Sequence, residues 1–202
     1  MASDAEQVIA ELRGGKPALL PTDTVYGLVS LPGELEVERL YALKGRRPEQ
    51  PTALLAGDVE QLLACIPELG DARLVLDTLL PGPYTLVLPN PARRYAWLAG
   101  RVTDTIGVRI PSLAPEARHV LEAVGCLAAT SANDPGGTDP RTLADVPARL
   151  RDACAALDAG PLPGTASTVI DFSGAEPRVL REGAAPAADA IADIRRARVR
   201  SG

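Results

Sequence analysis

Six short polar clusters stand at the ends of apolar runs: Thr22-Asp23-Thr24, Lys44-Gly45-Arg46-Arg47, Thr105 with Arg109, Ser131-Ala132-Asn133, Ser167-Thr168 and Arg181. Each alone has an ordinary explanation. Lys44 to Arg47 suits a cationic helix C-terminus facing the macrodipole, Ser131 and Asn133 suit turn caps, and Arg109 suits a structural ion pair. Brought to one cleft, they would supply three or four fixed cations with hydroxyl and amide donors and little carboxylate. Such a site binds a polyanion and stabilises charge that builds on phosphate and carboxylate oxygens.

Several other chemistries are excluded. Arg13-Gly14-Gly15-Lys16-Pro17 lacks the phosphate-loop spacing, and Pro17 stands where a hydroxyl should meet magnesium. No Gly-x-Gly-x-x-Gly follows a strand, which argues against a dinucleotide-binding turn. The single histidine, His119, falls on the solvent side of its helix, so neither a Ser-His-Asp triad nor a histidine metal site is expected. Cys65, Cys126 and Cys154 form no C-x-x-C pair and are read as buried free thiols.

The elements that would place these clusters follow from periodicity. Ser3 and Glu6 form a capping box for a helix burying Ala5, Val8, Ile9 and Leu12, which Gly14-Gly15 ends. A strand is expected at 17–21 and an apolar stretch through Leu28-Val29. A helix over 34–44 turns Val37, Leu40, Tyr41 and Lys44 inward. The pattern then predicts a strand near 52–56, one or two helices within 58–80, and a strand through 84–88. Residues 105–110 alternate cleanly, with Ile106, Val108 and Ile110 core-facing and Thr105, Gly107 and Arg109 on a small, polar, cationic face. A helix at 115–124, a strand at 126–129, a helix capped by Thr142 and Asp145, strands at 168–172 and 178–181, and a last helix from 186 complete the chain. The arrangement suits one α/β domain with a mixed sheet.

The 202 residues are 46% hydrophobic but only 3% aromatic, enough for a core of Leu, Val, Ile and Ala. A net charge of −5 argues against coating nucleic acid non-specifically. No run is long enough to span a membrane and no secretory signal opens the chain, so a cytoplasmic protein is expected.

The clusters also occur in a telling order. PTDTVYGL, KGR, PGPYTLVLP, TIGVRIP, TSAN, ASTVID and VLREG resemble, in sequence over residues 7–183, the YrdC-like family of L-threonylcarbamoyladenylate synthases in its short single-domain form. The resemblance implies a three-layer α/β fold, a twisted mixed sheet and one deep basic cavity. It implies condensation of L-threonine, bicarbonate and ATP to threonylcarbamoyladenylate and pyrophosphate. Magnesium would be carried with ATP, with no organic cofactor and no protein metal site. The product would pass to the machinery that modifies adenosine 37 of tRNA, with direct tRNA contact open. By position, Thr24, Arg109, Ser131 and Ser167 would contact threonine. Lys44 and Arg46 would act on phosphates, and Gln50, Thr105, Asn133, Arg141 and Arg181 would complete the ATP site. Leu55 stands where many members carry a histidine facing threonine, and Ala166 where a glutamate is usual. An RNA-binding module using the same basic cleft is the alternative; the Arg195–Arg200 tail reads either as an RNA contact or as a solvated disordered end. The hydrogenase-maturation carbamoyl-transfer domain shares the implied fold, but those chains carry zinc-binding cysteine motifs absent from this sequence.

Overall fold

The computed structural model describes residues 4–201. Its strands are β1 (Ala18–Pro21), β2 (Tyr26–Ser30), β3 (Ala53–Leu55), β4 (Tyr84–Pro89), β5 (Thr105–Arg109), β6 (Leu127–Ser131), β7 (Ala155–Ala156), β8 (Thr168–Asp171) and β9 (Arg178–Arg181). They form one mixed sheet in the order β7-β1-β2-β6-β3-β5-β4-β8-β9. The neighbours β7–β1, β3–β5 and β4–β8 are parallel and the rest antiparallel. The helices are α1 (Asp4–Arg13), α2 (Glu34–Lys44), α3 (Val59–Cys65), α4 (Arg73–Leu79), α5 (Pro115–Val124), α6 (Ala148–Arg151) and α7 (Ala187–Ser201).

Pleating sorts the side chains into two cores. Leu28, Leu54, Leu86, Ile106, Val108 and Ile170 meet the apolar stripes of α2, α3, α4 and α7. Ala18, Leu20, Val29, Leu55 and Leu127 meet Ala5, Val8, Ile9 and Leu12 of α1 and Ala117, Val120 and Leu121 of α5. The result is the expected three layers. The second helical layer covers only part of its sheet face; the rest is left open.

Several local expectations need correction. The strand read as 126–129 extends through Thr130 and Ser131, because these pair with Leu28 and Gly27 of β2. The helix after Thr142 is a single 3-10 turn, Leu143–Asp145, closed by the reciprocal Thr142/Asp145 capping box, and α6 follows separately. The Arg195–Arg200 stretch continues α7 instead of forming a disordered tail. Ser3 lies outside the described residues, so the proposed box with Glu6 does too. The two-residue β7 and the 3-10 turn Ala96–Leu98 had no periodic signal.

Two glycines set the backbone around the polar clusters. Gly45 closes α2 in the left-handed region at φ 70°, with the amides of Gly45 and Arg46 bonded back to Ala42 and Tyr41. The turn separates Lys44, on the buried stripe, from Arg46. Gly183 approaches the 166–167 backbone so closely that a Cβ would lie 2.3 Å from the Ala166 carbonyl oxygen. That approach lets its amide reach Thr168 Oγ1 at 3.0 Å and holds the Arg181 strand end against Ser167.

Candidate active site

The uncovered sheet face is the floor of a cavity of about 630 Å³, within the range of small-molecule sites. Its centre is made of small residues. Ala53 pairs with Ala129, Gly27 with Ser131, and Gly107 with Val87. The polar face read from the β5 alternation, Thr105, Gly107 and Arg109, lines this floor. Along one cross-strand row lie Gly107, Val87, Asp171 and Arg178; along the next, Thr85, Val169 and Arg181. Leu55 pairs with Arg109 and lines the cavity beside it.

Arg46, Thr105, Arg109, Ser131, Ser167 and Arg181 all line this one space. Arg109 is the most enclosed of the cations that line the cavity, its side chain 10% exposed. Its Nη2 donates to Thr24 Oγ1 at 2.6 Å and to Asp23 Oδ1. The other Asp23 oxygen accepts the Ser112 amide at 3.1 Å, so Asp23 fixes the guanidinium's direction. Burial pulls the Arg109 pKa below its ordinary value, Asp23 pushes it back, and the nearby Arg181 pulls it down again. Thr24 is fully buried behind Arg109, while its neighbours Thr22 and Val25 line the cavity.

Across the sheet, Arg181 donates from Nη2 and Nε to the Ser167 carbonyl at 2.8 and 3.1 Å. Ser167 Oγ shares a 2.7 Å hydrogen bond with Thr85 Oγ1. At the opposite end Arg46 reaches Thr130 Oγ1 at 3.3 Å and also donates to the Pro51 carbonyl.

Lys44 is 3% exposed and does not line the cavity. Its ammonium is spent on the end of β6, donating to the Ser131 carbonyl and to Asn133 Oδ1, each at 2.6 Å, and to the Asn133 carbonyl. Ser131 Oγ donates to the same Asn133 Oδ1 at 2.7 Å, and Asn133 Nδ2 reaches the Gly137 carbonyl at 2.7 Å. Lys44 and Asn133 therefore shape the loop that presents Ser131. Burial, with the charges of Arg46 and Arg149, pulls the Lys44 pKa down to about 8, against the opposing pull of Asp134 and Asp139.

Besides Thr24, Lys44 and Asn133, two further positions suggested by the resemblance stand away from the lining. Gln50 is exposed, with Oε1 accepting the Arg47 amide at 3.2 Å, while its neighbours Glu49 and Pro51 line the cavity. Arg141 is exposed too, with Nε on the Leu162 carbonyl at 3.3 Å. Tyr26 is fully buried, its hydroxyl donating to Asp158 at 2.7 Å with the Gly160 carbonyl as a second acceptor in reach at 2.9 Å. It anchors a loop and does not line the cavity. His119 is exposed and lies 3.0 Å from Glu6.

Sequence reasoning missed Arg101 and Arg178 on the cavity wall, and Asp171, which accepts from Arg178 at 2.9 Å and from Ser173 at 2.6 Å. Asp171 reads as an ordinary strand end in the sequence, and Arg101 sits in a loop with no periodic signal. The wall thus carries five arginines (Arg46, Arg101, Arg109, Arg178 and Arg181) against Glu49 and Asp171. Three buried polar atoms of lining residues, Arg46 Nε, Arg109 Nε and Thr52 Oγ1, have no hydrogen-bond partner among the described residues. Leaving such groups unpaired costs about 1–3 kcal/mol each.

A cavity walled by five arginines, with small residues on its floor and serine and threonine hydroxyls in its lining, can take up small anions. A family model designated Sua5/YciO/YrdC and described as "Telomere recombination" matches residues 10–183. The chain belongs to this family. It is 37% identical to a threonylcarbamoyl-AMP synthase of Chromohalobacter salexigens over 175 residues, covering 83% of this chain and 92% of that one. Pyrococcus abyssi Sua5 complexed with L-threonine superposes with a TM-score of 0.84 at 30% identity; the match covers 96% of this chain and 58% of that one, whose length it therefore spans only in part. Escherichia coli YciO superposes with a TM-score of 0.75 at 25% identity, covering 92% of this chain and 93% of its own.

Proposed function

We propose that this chain is a threonylcarbamoyl-AMP synthase, working as one domain in the cytoplasm and supplying the threonylcarbamoyl group for tRNA modification. The observation that carries the reading is the convergence of Arg46, Arg109 and Arg181 on one cavity in a chain so similar to a named synthase.

The reaction joins anions. The threonine amine condenses with bicarbonate to a carbamate, releasing water. A carbamate oxygen then attacks the α-phosphorus of ATP and pyrophosphate leaves. No enzyme nucleophile is required; neutralising charge and fixing an in-line approach supply the acceleration. Arg109, aimed by Asp23 and Thr24, takes the threonine carboxylate through its planar fork, and Leu55 and Val25 offer apolar surface to the methyl group. Ser131 and Ser167 offer hydroxyls to the carbamate. Arg46, Arg181 and Arg101 face the triphosphate, with Thr105 at the nucleotide end. Magnesium would arrive on the triphosphate. There it would be held largely by nucleotide oxygens and water; Asp171 is engaged by Arg178 and Ser173.

Purified protein with magnesium and ATP is expected to release pyrophosphate only when threonine and bicarbonate are both present. ATP turnover indifferent to threonine would overturn the reading. A second expectation concerns the floor. A Cβ on Gly107 would meet Ala53 and Thr85 at an ordinary 3.8 Å, so Gly107→Leu should fold and project its side chain into the chamber. A clash of the size that overpacking produces, about 1–3 kcal/mol, corresponds to roughly 5- to 150-fold weaker ATP binding, measurable by titration calorimetry, with a nearly unchanged thermal midpoint. Unaltered ATP affinity would remove the nucleotide from this floor.

A further inference from the structure

Away from the cavity, two thiols separated by 61 residues meet on the α2/α3/α4/α7 side of the sheet. Cys65 is the last residue of α3 and half-buried; Cys126, just before β6, is 3% exposed. Their Sγ atoms are 2.7 Å apart, and Cys126 Sγ also faces the Gln61 carbonyl at 3.6 Å. Tyr95 packs against the same core. Nothing in the proposed reaction uses either sulfur.

We infer that Cys65 and Cys126 are a reactive thiol pair that closes to an intramolecular disulfide when the protein meets a hydroperoxide. The two partners differ in the way such chemistry needs. Hydrogen bonding between the two sulfurs draws the Cys65 thiol down, whereas that hydrogen bond and burial push Cys126 up. Cys65, the partly exposed sulfur that a peroxide can reach, is the attacking one; Cys126, enclosed, is the resolving one. In the first step the Cys65 thiolate takes the terminal peroxide oxygen, the O–O bond breaks, and the leaving oxygen departs as hydroxide or alkoxide, giving a sulfenic acid. In the second, Cys126 sulfur attacks the Cys65 sulfur, the S–O bond breaks, and the hydroxide leaves as water with the Cys126 proton. Two thiols lose two electrons in total and one peroxide gains them. The new bond would tie the end of α3 to the base of β6 across a long loop, raising stability mainly by restricting the unfolded chain.

The test uses the full chain, reduced and then exposed to a small excess of hydrogen peroxide, alkylated and peptide-mapped. The expected product is a Cys65–Cys126 linked peptide, reversed by dithiothreitol, with Cys154 still alkylated. Burial pushes the Cys154 thiol up to about 11, which makes it the internal control. The oxidised wild type should melt several degrees above the reduced form, a shift absent in Cys65→Ser. In Cys126→Ala the Cys65 sulfenic acid should persist and react with dimedone; should that variant fail to fold, the wild-type map decides alone. Both cysteines recovered alkylated, Cys65 carried to sulfinic acid without a link, or bonds made chiefly to Cys154 would each overturn the inference.

Discussion

Arg109→Ala is expected to lower threonine-dependent turnover by about 100- to 1,000-fold, the range for losing one preorganised donor to developing charge, while ATP affinity stays close to wild type. The guanidinium is nearly enclosed and held from one side by Asp23 and Thr24. A guanidinium so directed, lining the cavity, is preset for a planar anion, and threonine brings a carboxylate. The cations proposed for the phosphates, Arg46 and Arg181, keep their own backbone anchors at Pro51 and Ser167, so ATP binding should survive the substitution. Stability will not be untouched. Removing one partner of a buried ion pair costs about 3–5 kcal/mol, because the remaining charge is left enclosed. The double variant Asp23→Asn with Arg109→Ala separates the two effects: it should recover much of the thermal midpoint without recovering threonine use. Initial rates over a threonine series at saturating ATP, beside calorimetric ATP affinities, give the comparison. Equal losses toward both substrates, or activity regained in the double variant, would remove Arg109 from the carboxylate.

How far this site was legible depends on whether its geometry is local. The bounds of α2 and α5 follow from apolar spacing with Gly45 and Pro115 as their markers, and the structure places them at 34–44 and 115–124. The β5 alternation separated core from cavity face because a strand's period of two leaves no other option once one face is buried. What stayed hidden depends on partners distant in sequence. The inward stripe of α2 gave Lys44 a buried position, yet its three acceptors come from residues 87 and 89 positions further on. Arg178 and Asp171 reach the cavity only because β8 and β9 extend the sheet beyond β4, and no periodicity foretells strand order. Gln50 and Arg141 were assigned by alignment of short motifs, and short loops around them turn both side chains outward. The Cys65–Cys126 contact is of the same kind, since a helix end and a strand start carry no mutual signal until the sheet is assembled.

Lys44→Met is expected to reduce turnover by about 100-fold or more, although the lysine itself does not line the cavity. The substitution keeps the aliphatic stem and removes the ammonium that draws the Ser131 carbonyl, Asn133 Oδ1 and the Asn133 carbonyl to one point. Without it these oxygens lose a charge-assisted partner, worth about 1.5–3 kcal/mol per bond, and the loop that sets Ser131 relaxes. A misplacement of about 1 Å at a positioned group is enough for a loss of this size. The pH dependence supplies a signature that simple unfolding would not. The folded pKa is about 8 and an unfolded lysine titrates near 10.4. Below about 8 both states carry the proton, and the folded state bears the full penalty of a buried charge. Between the two values the unfolded chain binds more protons than the folded one, so this group makes stability rise with pH across that window. Activity should run the opposite way, falling as pH passes about 8, because a neutral amine has two N–H donors for three acceptors. Urea titrations at pH 7.5, 8.5 and 9.5, paired with rate profiles over the same range, should show the two curves diverging in wild type and both features missing in Lys44→Met. A wild-type rate that stays level to pH 9.5, or a variant that keeps the same alkaline fall, would assign the ionisation elsewhere and leave Lys44 as a packing residue.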